Sequence, residues 1–296
     1  MKYYLSAMTG FLIWGTFALV LKPLGAFAAL DILIYRVLFA SVSILLACFL
    51  FRRKPTLQSI QYLRNSSSAE RKKLLINILG SAILLGLNWF LFIYVMNNVS
   101  VNATSLAYLI CPILTTVLAN LFLKEHLNRG QWIAVGLSLI SCIIMAYGHF
   151  VDLFYSFLIA LSYAAYLVLQ KNTFKLDKFF TLSIHILVST ILLLPILNFV
   201  DTETPKTDLF YLLIAVIAIF YTIVPLFLNI YALKGLDSSL VGILLYINPI
   251  ISFCLAVWYY QEPINIYQIS AFSLIILAIC IFNISYWYEK RKNQLS

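Results

Sequence analysis

Residues 110–131 read ICPILTTVLANLFLKEHLNRGQ, and residues 247–268 read INPIISFCLAVWYYQEPINIYQ. Laid over each other at an offset of 137 positions, Pro112 meets Pro249, Glu125 meets Glu262, Asn128 meets Asn265 and Gln131 meets Gln268. Ile110/Ile247, Leu118/Leu255 and Ala119/Ala256 agree in the same frame without a gap. Further back, Tyr94 meets Tyr231, with Phe90/Phe227, Leu91/Leu228 and Ile93/Ile230 around it. Apolar composition alone explains this poorly once the polar anchors coincide. Nearer the N-terminus the offset becomes 149, so that Lys22 meets Lys171 and Arg36 stands opposite His185. The chain is therefore expected to hold two copies of one unit, residues 1–148 and 149–296.

The solvent for those copies follows from composition. The 296 residues are 63% hydrophobic and 10% charged, with a mean hydropathy of +0.96, where a soluble domain carries about 25% charge. A bilayer core of roughly 30 Å takes about 20 apolar residues per helix. Apolar runs bounded by charge, Pro, Gly or Asn fall at 3–22, 31–51, 74–96, 103–123, 130–148, 153–170, 179–199, 209–233, 239–260 and 266–287. The reading is an all-α membrane protein of ten transmembrane helices, arranged as two inverted five-helix repeats. Strands are excluded because unpaired backbone in lipid costs several kcal/mol per group. Lys2 followed by an apolar run and Ala26-Phe27-Ala28 has the outline of a signal peptide, but the run from Leu5 to Leu21 exceeds the usual h-region and is kept as the first span.

Orientation is read from Lys and Arg in alternate loops. Seventeen of the twenty fall on the side shared by both termini, Lys22 and Lys206 fall on the other, and Arg36 lies within the second span. Both termini are thus expected in the cytoplasm of a bacterium, with the chain in its inner membrane. Asp31 and the acidic stretch Asp201, Glu203 and Asp208 are expected outside. The basic segment 52–73 reads as a cytoplasmic linker against anionic lipid. The net charge of +9 sits in loops rather than on a soluble face, so nucleic acid is not an expected partner. Cys48, Cys111, Cys142, Cys254 and Cys280 lie inside apolar runs without metal or redox spacing and read as packing residues, leaving no expected metal or cofactor.

Because five is odd, consecutive five-helix copies cross the membrane in opposite senses, which is the inverted-repeat plan of secondary transporters. Pro112 and Pro249 fall near mid-bilayer in spans four and nine, and Pro225 midway along span eight. Each removes a helical hydrogen bond, freeing the carbonyls of Tyr108, Leu245 and Tyr221; packing kinks and site-lining hinges both fit. Glu125 and Glu262 do not pair as catalytic carboxylates, since the topology puts them on opposite sides, and Asn-x-x-Gln opening the next helix resembles a capping box.

The residues also carry a family likeness. Trp14-Gly15 with Lys22, Asp31-Ile-Leu-Ile-Tyr-Arg36-Val, Gly86-Leu-Asn88-Trp89-Phe-Leu-Phe-Ile with Asn97-Asn98, Ser105-Leu-Ala-Tyr108, and Pro112 through Glu125 resemble the RarD branch of the EamA transporters in the drug/metabolite transporter superfamily. Thr222-Ile-Val-Pro225-Leu and Tyr246-Ile-Asn-Pro249 continue the likeness. The resemblance implies a ten-helix carrier, an exporter with a central cavity, in a branch associated with chloramphenicol sensitivity or resistance and a superfamily whose members export amino acids and related metabolites.

Ionisable groups inside a span are expensive and become functional candidates. Arg36, about one and a half turns into span two, suits a carboxylate on the solute, with Asp31 or a lipid headgroup as its alternative partner. His185 is a candidate for a coupling proton or a packing residue, and Lys22 a gate or an interface marker. Asn88 is either helix-to-helix glue or a cavity group. Trp14, Trp89, Tyr108 and Tyr246 are candidate cavity rings for a small-molecule solute. A membrane-embedded enzyme lacks the His-Glu-x-x-His or buried Asp pair it would need, and a non-transporting scaffold would need neither the repeat nor Arg36. Oligomeric state is not legible.

Overall fold

The computed structural model describes residues 1–147, 150–173, 175–199, 206–261 and 263–295. Glu262, Asp201 and Glu203 lie outside the described residues. Among the described residues the regular structure is helical throughout. The apolar helices are α1 (Lys2–Leu24), α2 (Ala29–Leu50), α3 (Ser68–Asn98), α4 (Ala103–Leu123), α5 (Arg129–Met145), α6 (Val151–Gln170), α7 (Lys178–Asn198), α8 (Asp208–Leu233), α9 (Ser238–Tyr259) and α10 (Ile266–Arg291). All but α5 are long and apolar enough to cross a bilayer; α5 has 17 residues, at the lower limit for a span.

Two expected boundaries shift for local reasons. The third span begins at Ser68 rather than 74 because Ser67 caps it, its Oγ accepting from the Glu70 N–H, so a polar first turn precedes the apolar run. The segment 52–73 is not an irregular linker, since Arg53–Asn65 forms a surface helix. That helix is fastened to the start of α7: Arg52 pairs with Asp177 at 2.7 Å, and the Asp177 N–H donates to Ser59 Oγ at 3.0 Å. Leu63 completes the dock against Ile78, Leu176 and Phe180.

Helix pairing is consistent with the expected repeat. The first helix packs on α8 and α9, as α6 packs on α3 and α4; α2 packs on α8, as α7 packs on α3. The pairs α2 with α7, α4 with α9 and α5 with α10 close the set, which maps onto itself when helix numbers are exchanged by five. Where a pseudo-two-fold axis passes between helices, equivalent residues should touch each other. Ser41 and Thr190, at the offset of 149, share a hydroxyl hydrogen bond of 2.8 Å. Tyr246 OH donates to the carbonyl of Leu109, at the offset of 137, at 2.9 Å.

The anchors after α4 and α9 repeat as well. Asn128 and Gln131 form the expected reciprocal cap, each backbone N–H donating to the other's side-chain oxygen at 2.9 Å. Asn265 and Gln268 do the same at 3.1 and 2.8 Å. Lys124 and Gln261, again 137 apart, share a left-handed backbone with φ of 56° and 55°.

The prolines act differently in the two copies. Helix α4 runs unbroken through Pro112, whereas α9 opens at Leu245 and Tyr246 between two α-helical pieces. The freed Leu245 carbonyl accepts from the Asn248 N–H instead. A π-helical turn at Ile219–Ile223 precedes Pro225 in α8, and another closes α9 at Leu255–Tyr259. Such turns mark where a helix absorbs irregular hydrogen bonding.

Candidate functional site

The strongest cluster forms where α2, α3 and α4 meet. Arg36 projects from α2 so that its guanidinium carbon lies 5.2 Å from the Trp89 ring of α3, a cation–π distance. Tyr108 of α4 lies near it, with its ring tilted at 57° to Phe92 and the centroids 5.8 Å apart. Tyr108 remains 40% exposed. No carboxylate among the described residues pairs with Arg36. The alternative partner Asp31 is taken by Lys206, which approaches from the stretch before α8. Arg36 Nε is buried without a hydrogen-bond partner. A planar, permanently charged donor set of this kind matches a carboxylate or a similar anionic group.

A second cluster centres on Trp14. Its Nε1–H donates at 2.8 Å to the carbonyl of Tyr221, the group that Pro225 deprives of its helical donor. The proline break in α8 is therefore satisfied across the bundle by α1. Trp14 also meets Tyr163 edge-on at 6.0 Å, and Tyr163 OH accepts a long hydrogen bond of 3.4 Å from Asn229. The Tyr221 carbonyl was reached from sequence through its spacing to Pro225, whereas Tyr163 and Asn229 carry no spacing signal of their own and become visible only once α1, α6 and α8 meet.

At the α4–α9 crossing Tyr246 meets α4 and Gly242 lies beside Pro112, while Pro249 is buried in the second piece of α9. Besides the Tyr246 bond to Leu109, Thr116 Oγ1 donates to the Pro112 carbonyl at 2.9 Å. Gly242 allows the close approach: a Cβ there would sit 2.9 Å from Thr115 Cβ and 3.4 Å from the Pro112 carbonyl.

Three candidates take other places. Asn88 Nδ2 donates to the Ile159 carbonyl at 2.9 Å and to Ser162 Oγ at 3.1 Å, so it ties α3 to α6 as glue. His185 is fully buried in α7, edge-on to Tyr166 at 5.5 Å, away from the Arg36 cluster although the two are repeat equivalents. Lys22 ends α1 with its ammonium 3.2 Å above the Tyr260 ring at the end of α9.

On the face that carries both termini a polar seam joins the halves. Glu125, after α4, accepts from the backbone N–H groups of Ser238 and Ser239 at 2.7 and 2.9 Å and from Ser239 Oγ at 2.7 Å. The carboxylate thereby caps α9, where the helix dipole favours negative charge. Lys171 donates to the Leu236 carbonyl beside it. Burial lowers the Lys171 pKa from the ordinary lysine range, with Glu125 and Asp237 pulling the other way. Tyr286 OH donates to Asp237 at 2.9 Å, and Asn128 donates to Glu289 at 2.7 Å. The anchoring expected of Glu125 thus has a specific target that its own neighbourhood in sequence does not show.

Known proteins place this architecture. Over 292 residues the chain is 30% identical to a Bacillus subtilis protein described as the uncharacterized transporter YojE, covering 96% of this chain and 94% of that one. It is 28% identical to protein RarD of Escherichia coli, covering 97% and 96%, and 29% identical to protein RarD of Streptomyces exfoliatus, covering 90% and 84%. A solved crystal structure shares the fold with a TM-score of 0.73 at 14% identity, covering 94% of this chain and 95% of that one. The EamA-like transporter family matches residues 1–147 and 152–284. With a family match across both halves and RarD-named relatives along nearly its whole length, this multi-pass membrane protein belongs to the EamA-like transporter family.

Proposed function

We propose that the chain is a secondary transporter that exports a small anionic or zwitterionic solute by alternating access, from a bacterial inner membrane with both termini in the cytoplasm. Amino acids and related metabolites fit that charge; a chloramphenicol-like drug, which is uncharged, is the second candidate solute and would rely on the aromatic rings rather than on Arg36. The observation that carries this reading is Arg36: a guanidinium inside a span, over Trp89 and beside Tyr108, with no carboxylate of the chain to pair with among the described residues. An intramembrane charge without a protein counter-ion is costly unless a ligand supplies one. Residues 1–148 and 149–296 act as the two inverted units, and the self-mapping helix pairs support two near-equivalent states related by exchange of the halves. On this reading the Glu125 bonds to the start of α9 are the contacts that must break for the terminal face to open.

The catalytic power of such a carrier lies in moving the barrier rather than in bond chemistry, so the test is flux. Purified protein in proteoliposomes is screened by thermal shift against amino acids, carboxylate metabolites and antibiotics, and the stabilising solute is then followed by counterflow. Arg36→Ala is expected to abolish counterflow of a carboxylate solute while the protein still elutes as a folded species. Unchanged flux in Arg36→Ala would remove Arg36 from the site. A coupling proton is tested alongside: with His185 as its carrier, His185→Gln is expected to uncouple flux from an imposed pH gradient, and retained coupling would assign His185 to packing.

A further inference from the structure

A shallow groove of about 490 Å³ runs along the outer side of α3, lined by Ser68, Arg71, Lys72, Leu75, Leu79 and Ile83, with Ile76 and Gly80 on its floor. These positions recur at three- and four-residue intervals and so form one continuous stripe. From Ser68 to Ile83 the stripe rises about 22 Å at 1.5 Å per residue, which is one headgroup layer plus most of one leaflet of a core roughly 30 Å thick. Its long arm is apolar and faces away from the bundle: Ile76 is 57% exposed and Ile83 50%. Gly80, within the stripe, packs so close to α6 that a Cβ would lie 2.8 Å from Leu169 Cδ2.

The upper end is cationic. Glu70, the one carboxylate in the first turn of α3, is already engaged by Lys175 at 2.5 Å and by Tyr62 OH at 2.9 Å. Arg71 and Lys72 have no such partner among the described residues, and the first-turn N–H groups of the helix add positive potential beside them. An apolar trough one leaflet long, ending in two unneutralised cations at headgroup depth, has the shape and charge of a bound anionic phospholipid.

We propose that this α3 groove is a binding site for an anionic diacyl phospholipid of the leaflet on the terminal face, with the phosphate held by Arg71 and Lys72 and one acyl chain lying along Leu75, Ile76, Leu79 and Ile83. A second copy of the chain is the competing occupant, and charge opposes it: copies sharing a membrane orientation would bring their Arg71 and Lys72 clusters to the same depth on a shared seam. The site stands apart from the Arg36 cluster and does not depend on the transport reading.

The full chain in nanodiscs or mild detergent is incubated with phosphatidylglycerol or phosphatidylcholine, and retained lipid is counted by native mass spectrometry. Phosphatidylglycerol is expected to be retained about thirtyfold better, the change that two cation contacts near a surface supply. Arg71→Gln with Lys72→Gln should erase that preference, whereas Arg64→Gln, on the nearby surface helix, should leave it intact. Ile76→Trp, which fills the trough and leaves both cations in place, should lower retention of either lipid. Equal retention of the two lipids by the wild-type chain, an undiminished preference in the double variant, or a lipid-free dimer held through this face would each overturn the proposal. Flux measured on the same double variant separates the two readings, because loss of lipid preference with intact counterflow leaves the transport site standing.

Discussion

At the scale of single residues, the bundle is organised by polar groups that find partners on other helices. Trp14 is the clearest example, since its indole N–H supplies the bond that Pro225 takes from the Tyr221 carbonyl. Replacing it by Phe keeps an aromatic ring beside Tyr163 but leaves that carbonyl without a donor, and an unsatisfied buried acceptor costs about 1–3 kcal/mol. Trp14→Phe is expected to lower the midpoint of thermal unfolding in detergent; an unshifted midpoint would show that the carbonyl finds another donor. Asn88 is a residue whose role the sequence left open between glue and cavity. Its two bonds to α6 supply the partners that an amide in hydrocarbon needs, as helix-to-helix glue would. Arg36 and Trp89 were legible as an intramembrane charge and a neighbouring ring. The ion pair between Asp31 and Lys206 was not, although both residues were placed on the same outer side, because the partners are separated by most of the chain.

Between helices, a polar anchor joins the two halves. Glu125 reaches across the seam to the start of α9, where it accepts three hydrogen bonds. Glu125→Gln keeps one acceptor oxygen and removes the charge, losing about 1–3 kcal/mol of charge-assisted bonding. The expected result is a terminal face that opens more often, read as faster labelling of a cysteine placed at Ser238 by a membrane-impermeant thiol reagent. Labelling at the wild-type rate would mean that other contacts hold the face shut. The crossing of α4 and α9 is tighter still. Gly242→Leu would drive a side chain into Thr115 and the α4 backbone, and overpacking of this kind typically costs about 1–3 kcal/mol; the yield of folded protein is expected to fall, and a normal yield would show that the crossing is loose. The ten apolar runs and the capping residues Asn128 and Gln131 could be read from residue order because each depends on local periodicity or short spacing. The surface helix Arg53–Asn65 could not, since it is fixed by its dock onto Asp177. The unequal response of α4 and α9 to equivalent prolines was also illegible, because proline disfavours the helical bond without dictating how the neighbours absorb its loss.

The whole molecule is two five-helix halves whose contacts exchange with each other, touching at Ser41 with Thr190 and at Leu109 with Tyr246 where equivalent positions meet. The proposed alternating access takes as its second state the arrangement in which the roles of the halves are swapped. The central claim is that transport requires the Glu125 seam to open. In a background with the five native cysteines replaced, Glu125→Cys and Ser239→Cys are joined by a short reducible bifunctional thiol reagent, and counterflow of the solute found by thermal shift is measured before joining, after joining and after reduction. The expected result is flux that stops on joining and returns on reduction; flux that continues at full rate through a quantitatively joined seam would contradict alternating access.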